Sequence, residues 1–241
     1  MDIKRNQPPI RREISIRLSA LIPAYARLPL IVTVLWNTIV YYGSRLIAHG
    51  WEHHILELPI DRQIPFLPWT VSVYYASFLF WTVSYILCAR QGKERAYRFL
   101  SADFLAKGIC LLFFLLLPTT NIRPVVEQQG FWNTVMVYLY QADAADNLFP
   151  SIHCLASWFC YIGLRKQENI PRWYRGFSFL MAVAVFLSTL TTKQHVAVDV
   201  AGGVLLAQFC YWLTGRTRFA KAYGTVFDRF SQWRAAHAVS I

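Results

Sequence analysis

The sequence predicts an all-α fold: a polytopic membrane bundle of six transmembrane helices with an outer interfacial loop or helix. Three observations carry this expectation. Hydrophobic residues make up 56% of the 241 residues and charged residues only 15%, fewer charges than a soluble domain of this length carries. Mean hydropathy is +0.33. The apolar residues gather into stretches long enough to cross ~30 Å of hydrocarbon. A formal net charge of +11 fits either nucleic acid or a membrane surface, so the placement of the charges decides.

Residues 1–27 form a basic N-terminal segment. No apolar run begins before about residue 28, so the first span is expected to act as the anchor, not as a cleaved signal peptide. Spans follow at roughly 28–48, 66–88, 99–118, 150–164, 177–194 and 196–214, the fourth and fifth being short. The last two are expected to meet in a hairpin near residue 195. There is no internal repeat, so 28–214 reads as one membrane domain and 215–241 as a basic tail.

The cations then fall on one side. The N-terminal segment carries Lys4, Arg5, Arg11, Arg12, Arg17 and Arg27. The loops after the second and fourth spans carry Arg90, Lys93, Arg95, Arg98 and Arg165, Lys166, Arg172, Arg175. The tail adds Arg216, Arg218, Lys221, Arg229 and Arg234, whereas the opposite loops hold only Arg62, Arg123 and Lys193. This asymmetry predicts cytoplasmic termini in an integral protein of a cell (inner) membrane. It also accounts for the basic balance without nucleic acid.

In the third span Asp103 and Lys107, four residues apart, share a helix face. They read as a mutually neutralising pair near the cytoplasmic end, away from the other candidates, or as part of a proton or substrate path. The five cysteines show no CxxC spacing and read as buried free thiols. In the outer loop, residues 125–145 include Phe131, Trp132, Val135, Tyr138 and Leu139. They form an interfacial helix over the site or packing against the bundle rim. Asp143 and Asp146 solubilise that loop or orient a headgroup. In the tail, Phe219, Tyr223, Val226, Phe230 and Trp233 fit an amphipathic interfacial helix, with a solvated tail as the alternative.

Three short elements carry chemistry, all expected near the outer surface. His195 and Asp199 stack on one helix face, so the carboxylate can fix the imidazole tautomer and free the other nitrogen for attack. Taken alone, a satisfied polar pair packed in a helix bundle is the commoner explanation. Pro150 suits a first helical turn, where the next N–H groups, including that of Ser151, favour an anion, with the Ser151 hydroxyl and His153 close by. Arg123, on an outer loop, can clamp phosphate oxygens or touch a headgroup.

Taken together and in order, these residues resemble the type 2 phosphatidic acid phosphatase superfamily, whose pattern is K-x6-RP, PSGH and SR-x5-H-x3-D. Arg123 and Pro124, Pro150, Ser151 and His153, and Ser188, His195 and Asp199 match across roughly residues 100–210. Leu116 stands where the lysine is expected, Thr189 where the third-motif arginine is expected, and Ile152 where the glycine is. The FPSIH form and the missing arginine are similar to the inositol phosphorylceramide synthase-like branch.

The resemblance implies a lipid phosphate phosphatase, with phosphorylated lipid and membrane as partners and no cofactor or metal. It makes His195 the nucleophile of a phosphohistidine, steadied by Asp199. His153 is the general acid, and Arg123, Ser151 and Lys193 bind phosphate. A lipid headgroup phosphotransferase and a non-catalytic lipid-phosphate binder or transporter are the alternatives. A zinc site of His153, His195 and Asp199, joined by His53 and His54, is a further one.

Overall fold

A computed structural model of the chain describes residues 21–237. The N-terminal cations up to Arg17 lie outside the described residues, as do residues 238–241. The first helix, α1, spans Ala24–Ile47 and carries a π-helical turn at Ile39–Gly43. A two-residue strand, β1 (His54–Ile55), and a 3-10 turn at Pro68–Thr70 lead into α2 (Val71–Ala89) and then α3 (Lys93–Leu116). β2 (Thr119–Thr120) pairs in parallel with β1. The chain continues through α4 (Phe131–Ala142), α5 (Ile152–Leu164), α6 (Arg172–Thr191), α7 (Ala197–Arg216) and α8 (Phe219–His237).

Five helices (α1, α2, α3, α6 and α7) are long and apolar enough to span a membrane, which fits an integral membrane protein. The expectation of six spans is not confirmed by length and composition. The fourth expected span is α5, whose 13 residues rise only about 20 Å at 1.5 Å per residue. It is cut short at the start because the segment before Ser151 is spent on a buried turn with a cis Phe149–Pro150 bond, and it ends at Leu164. The basic stretch after α2 is also not all loop. Gly92, at φ 93°, turns the chain, and α3 begins at Lys93 with Glu94 in its first turn, where an acidic group suits the helix dipole.

The ends of α1 and α3 and the starts of α2, α5 and α7 meet at one end of the bundle. There the Leu67 N–H donates to the Thr191 carbonyl (2.9 Å), which brings the end of α6 to the same place. The opposite end gathers Lys93, Arg95, Arg98, Arg165 and Arg172. Its core is built from Phe99, Leu100, Phe159, Ile162 and Leu164. The five cysteines are free and buried.

α4 packs Met136 and Leu139 against Val71 and Tyr74 and leaves Phe131, Trp132 and Tyr138 exposed, so it is both packed and open to an apolar surrounding. In α8, Tyr223 turns into the bundle against Tyr97 and Phe104. Lys93 pairs with Asp228 at 2.8 Å, and Val226, Phe230 and Trp233 stay exposed.

Candidate functional site

The site forms where the loop after β2, the start of α5 and the start of α7 are tied together. Thr119 in β2 accepts the N–H groups of Leu148 and Phe149 on its hydroxyl, at 3.0 and 2.9 Å. Asn147, held at φ 53°, donates its amide to the Tyr41 carbonyl and the Ser44 hydroxyl beside the π turn. The Ser151 N–H donates to the Asp199 carbonyl at 3.1 Å. That last bond joins α5 directly to α7. It requires close approach of the two helices, and Gly203 supplies it: a Cβ there would lie 2.4 Å from the Ser151 carbonyl oxygen.

This placement brings the two histidines together. The rings of His153 and His195 are 5.7 Å apart between centroids and line the same cavity. His195 Nδ1 lies 3.3 Å from Asp199 Oδ2, and the same oxygen accepts the Val196 N–H at 3.0 Å. Asp199 is thereby both helix cap and imidazole partner. With its Nδ1–H given to the carboxylate, His195 keeps a lone pair on Nε2.

Ser151 differs from the expectation. Its N–H is taken by the Asp199 carbonyl, and it sits at the N-cap, with its hydroxyl accepting from the Cys154 N–H. The reason is the position of Pro150, which precedes the cap and is not in the first turn. The helix start therefore offers the N–H groups of Ile152 and His153. Ser188 donates to the Thr70 carbonyl at 2.7 Å, and Thr189 is buried against Cys154. Leu116, where the family pattern has lysine, is 81% exposed.

Arg123 comes to the cavity wall, its guanidinium held by the carbonyls of Asp143 and Ala144 and by Gln194 Oε1, and stacked 4.8 Å from the Tyr140 ring. Burial draws its basicity below the usual range, and the nearby Asp143 carboxylate opposes that. Arg123 Nε and Gln194 Nε2 are buried donors without a partner, both at the cavity end that holds the histidines. Lys193 points elsewhere. At φ 54° its ammonium donates to the carbonyls of Asp61 and Ile64 at 2.9 and 2.6 Å, fastening the loop after β1.

Four residues not singled out from sequence as catalytic complete the site. The Tyr74 hydroxyl donates to Asp143 Oδ2 at 2.5 Å and lies 2.6 Å from His153 Nε2, from which it accepts. Tyr41 donates to the other Asp143 oxygen. Burial pushes the Asp143 carboxyl up, but His153 and the two tyrosine hydroxyls outweigh it and hold the group below the usual carboxylate range. Gln194 is the fourth. Asp146 instead pairs with Arg45 at 2.9 Å. Only the position of Asp143 and Gln194 beside motif residues could have signalled them.

Among the described residues no three His, Cys, Asp or Glu side chains gather as a metal-binding group. His53 turns to the Trp51 carbonyl, and His54 lies in β1, so neither joins the central pair. The cavity encloses about 560 Å³ and runs from the histidines between α1 and α2 past Phe78 and Lys107 to Leu30 and Ile22. Asp103 and Lys107 do pair, at 2.9 Å. They are not remote from the other candidates, however, because Lys107 lines this cavity. α3 faces the groove, a placement that linear sequence does not reveal.

The family model of the PAP2 superfamily matches residues 44–213. Comparison with curated proteins and with solved structures returns no match.

Proposed function

The chain belongs to the PAP2 superfamily, and from that premise we propose that it is a membrane lipid phosphate phosphatase working through a phosphohistidine at His195. The observation that carries this reading is the pair of imidazoles 5.7 Å apart, one bonded to a carboxylate, with a guanidinium on the same cavity wall. One phosphoryl group between the rings is within reach of both.

In the first step His195 Nε2 attacks phosphorus, the bond to the lipid oxygen breaks, and His153 gives that oxygen its proton. Asp199 stabilises the positive imidazole through Nδ1–H. In the second step His153 takes a proton from water, the water oxygen attacks phosphorus, and the P–N bond breaks to release phosphate and free His195. Arg123, the unpartnered Gln194 amide and the N–H groups of Ile152 and His153 meet the charge on the phosphoryl oxygens. Ser151 acts through its helix cap and Lys193 by fastening the loop behind His195. The phosphate sits at one end of the bundle and the tail lies in the groove between α1 and α2.

We also infer an extracytoplasmic site and cytoplasmic termini in a cell (inner) membrane, because most loop cations gather at the end opposite the histidines. A headgroup phosphotransferase is the second reading. It is favoured by one observation: Leu116 and Thr189 stand where the family pattern has two more cations.

The test is a panel of phosphorylated lipids given to the purified full chain in detergent, scored for free phosphate and for phosphorylated acceptor. His195→Ala should cut turnover by on the order of 10³-fold or more, and wild type should yield an acid-labile, alkali-stable phosphoenzyme. Normal turnover by His195→Ala would end this reading.

A further inference from the structure

The cavity wall contributed by α1 is a stripe of Leu30, Thr33, Val34, Asn37, Thr38 and Tyr41, spaced as one face of a helix. Most polar groups on it are satisfied. Thr33 and Thr38 return their hydroxyls to the Pro29 and Val34 carbonyls at 3.0 Å each, and Tyr41 is bound to Asp143. Asn37 is different. Among the described residues its side-chain amide has no hydrogen-bond partner, although it lies in the middle of a span, where an unpaired amide is costly.

Among the described residues Lys107, on α3, is the one cation that lines the cavity below the rim. Its ammonium forms an ion pair with Asp103 Oδ2 at 2.9 Å and has N–H donors to offer a ligand. The Asn37 neighbour Trp36 sets the relative height of the two helices. Its indole N–H donates to the Phe104 carbonyl at 3.0 Å, and its ring passes within 3.8 Å of where a Cβ on Gly108 would sit. Asn37 and Lys107 therefore line one level of the cavity. That level lies about 6 Å, one helical turn, below the Tyr41–Asp143 contact.

Resting on the phosphatase or phosphotransferase reading above, we propose that Asn37 and Lys107 form a second polar subsite that binds the carbonyl of an ester or amide linkage in the lipid, one helical turn beneath its phosphate. Both side chains offer N–H donors, and the Asp103–Lys107 pair leaves the subsite without net charge, so it suits a neutral acceptor and not a second anion. An acyl linkage falls at this distance from a lipid phosphate. A polyisoprenyl chain is hydrocarbon there, and would leave both donors unpaired. The subsite therefore selects acyl-linked lipids over isoprenoid ones.

The test uses the full chain in detergent, with kcat/KM measured for a diacylglycerol phosphate, a ceramide phosphate and a polyisoprenyl phosphate. Wild type should prefer at least one acyl-linked lipid. Asn37→Leu should lower the acyl-to-isoprenyl ratio by about tenfold, the effect of one neutral hydrogen bond, and Asn37→Gln should restore part of it. A fall confined to the diacyl lipid assigns an ester carbonyl to the subsite, and one confined to the ceramide assigns an amide. A ratio untouched by Asn37→Leu, with all three lipids turned over, overturns the subsite alone. No turnover by wild type on any of these three phosphomonoesters overturns the phosphatase reading, and the subsite with it.

Discussion

Removing one oxygen atom, in Tyr74→Phe, separates His153, the proposed general acid, from its electrostatic support. The Tyr74 hydroxyl bridges His153 Nε2 and Asp143 Oδ2 at 2.6 and 2.5 Å, and its side chain is almost fully buried, so water does not readily replace it. Asp143 keeps the Tyr41 hydroxyl, which limits the damage to folding. A hydrogen bond to a charged partner contributes about 1.5–3 kcal/mol. If that support is felt as His153 holds and then delivers its proton, kcat falls by roughly 10- to 150-fold. The sign of the pH effect follows from Asp143. Burial draws the His153 imidazole down to about 4, and the Asp143 carboxylate, itself held below the usual range, opposes that shift from across Tyr74. Without the bridge, the acid loses its proton earlier, and the alkaline limb of kcat moves to lower pH, by about one unit for 1.4 kcal/mol. Phosphate release across pH, with a melting curve on the same preparation, measures both. An unchanged kcat and an unmoved alkaline limb, in a background where His153→Ala is dead, would refute the role given to Tyr74.

Two further outcomes test how the site is held. Gly203→Ala places a Cβ 2.4 Å from the Ser151 carbonyl oxygen and 3.2 Å from the Leu155 nitrogen. Backbone must therefore yield, at about 1–3 kcal/mol, and a displacement near 1 Å between His153 and His195 would cost on the order of 10² in kcat. Gly176→Ala, inside α6 and meeting nothing within 4 Å, serves as the control and should keep the wild-type rate with a Tm equal to or slightly above wild type. Lys193→Met removes two bonds to loop carbonyls. Its loss should appear mainly as a lower Tm and only slightly in KM; a tenfold rise in KM at unchanged Tm would return Lys193 to the phosphate.

The parts legible in sequence are those whose partners lie close along the chain. His195 and Asp199 do meet, but not on one helix face: His195 precedes the N-cap Val196 of α7, and Asp199 in the first turn folds back over the cap to reach it. The long apolar helices announce themselves by length. The fourth expected span, 150–164, coincides with α5 to within two residues, and its shortness was already legible. Hydropathy did not reveal that Pro150 and Ser151 belong to the turn and cap that present His153. Tyr41 and Tyr74 were invisible for another reason. They belong to α1 and α2, 102 and 69 residues from Asp143, and in sequence each is one aromatic among many in an apolar run. Lys107 was read correctly as paired, but its second face, turned to the cavity, depends on how α3 lies against α1.

The same distinction bears on the two missing cations. The residues at those positions were readable, but what replaces them was not, because the replacement is not another charge. Among the described residues Arg123 is the one cation at the histidine end of the cavity wall, and Asp143 stands close to it. The remaining anion-binding capacity is neutral: the Gln194 amide and the first N–H groups of α5. Such a site opposes less negative charge than one with three cations, since a neutral donor contributes a dipole where a cation contributes a full charge. A phosphate diester carries one negative charge through the reaction and a monoester carries nearly two, so weakening the field penalises the monoester more. That difference is the physical basis of the phosphotransferase reading, whereas the imidazole pair serves either reaction equally. Which reaction prevails turns on whether the group that attacks the phosphohistidine is water or a lipid alcohol admitted along the groove beside His153.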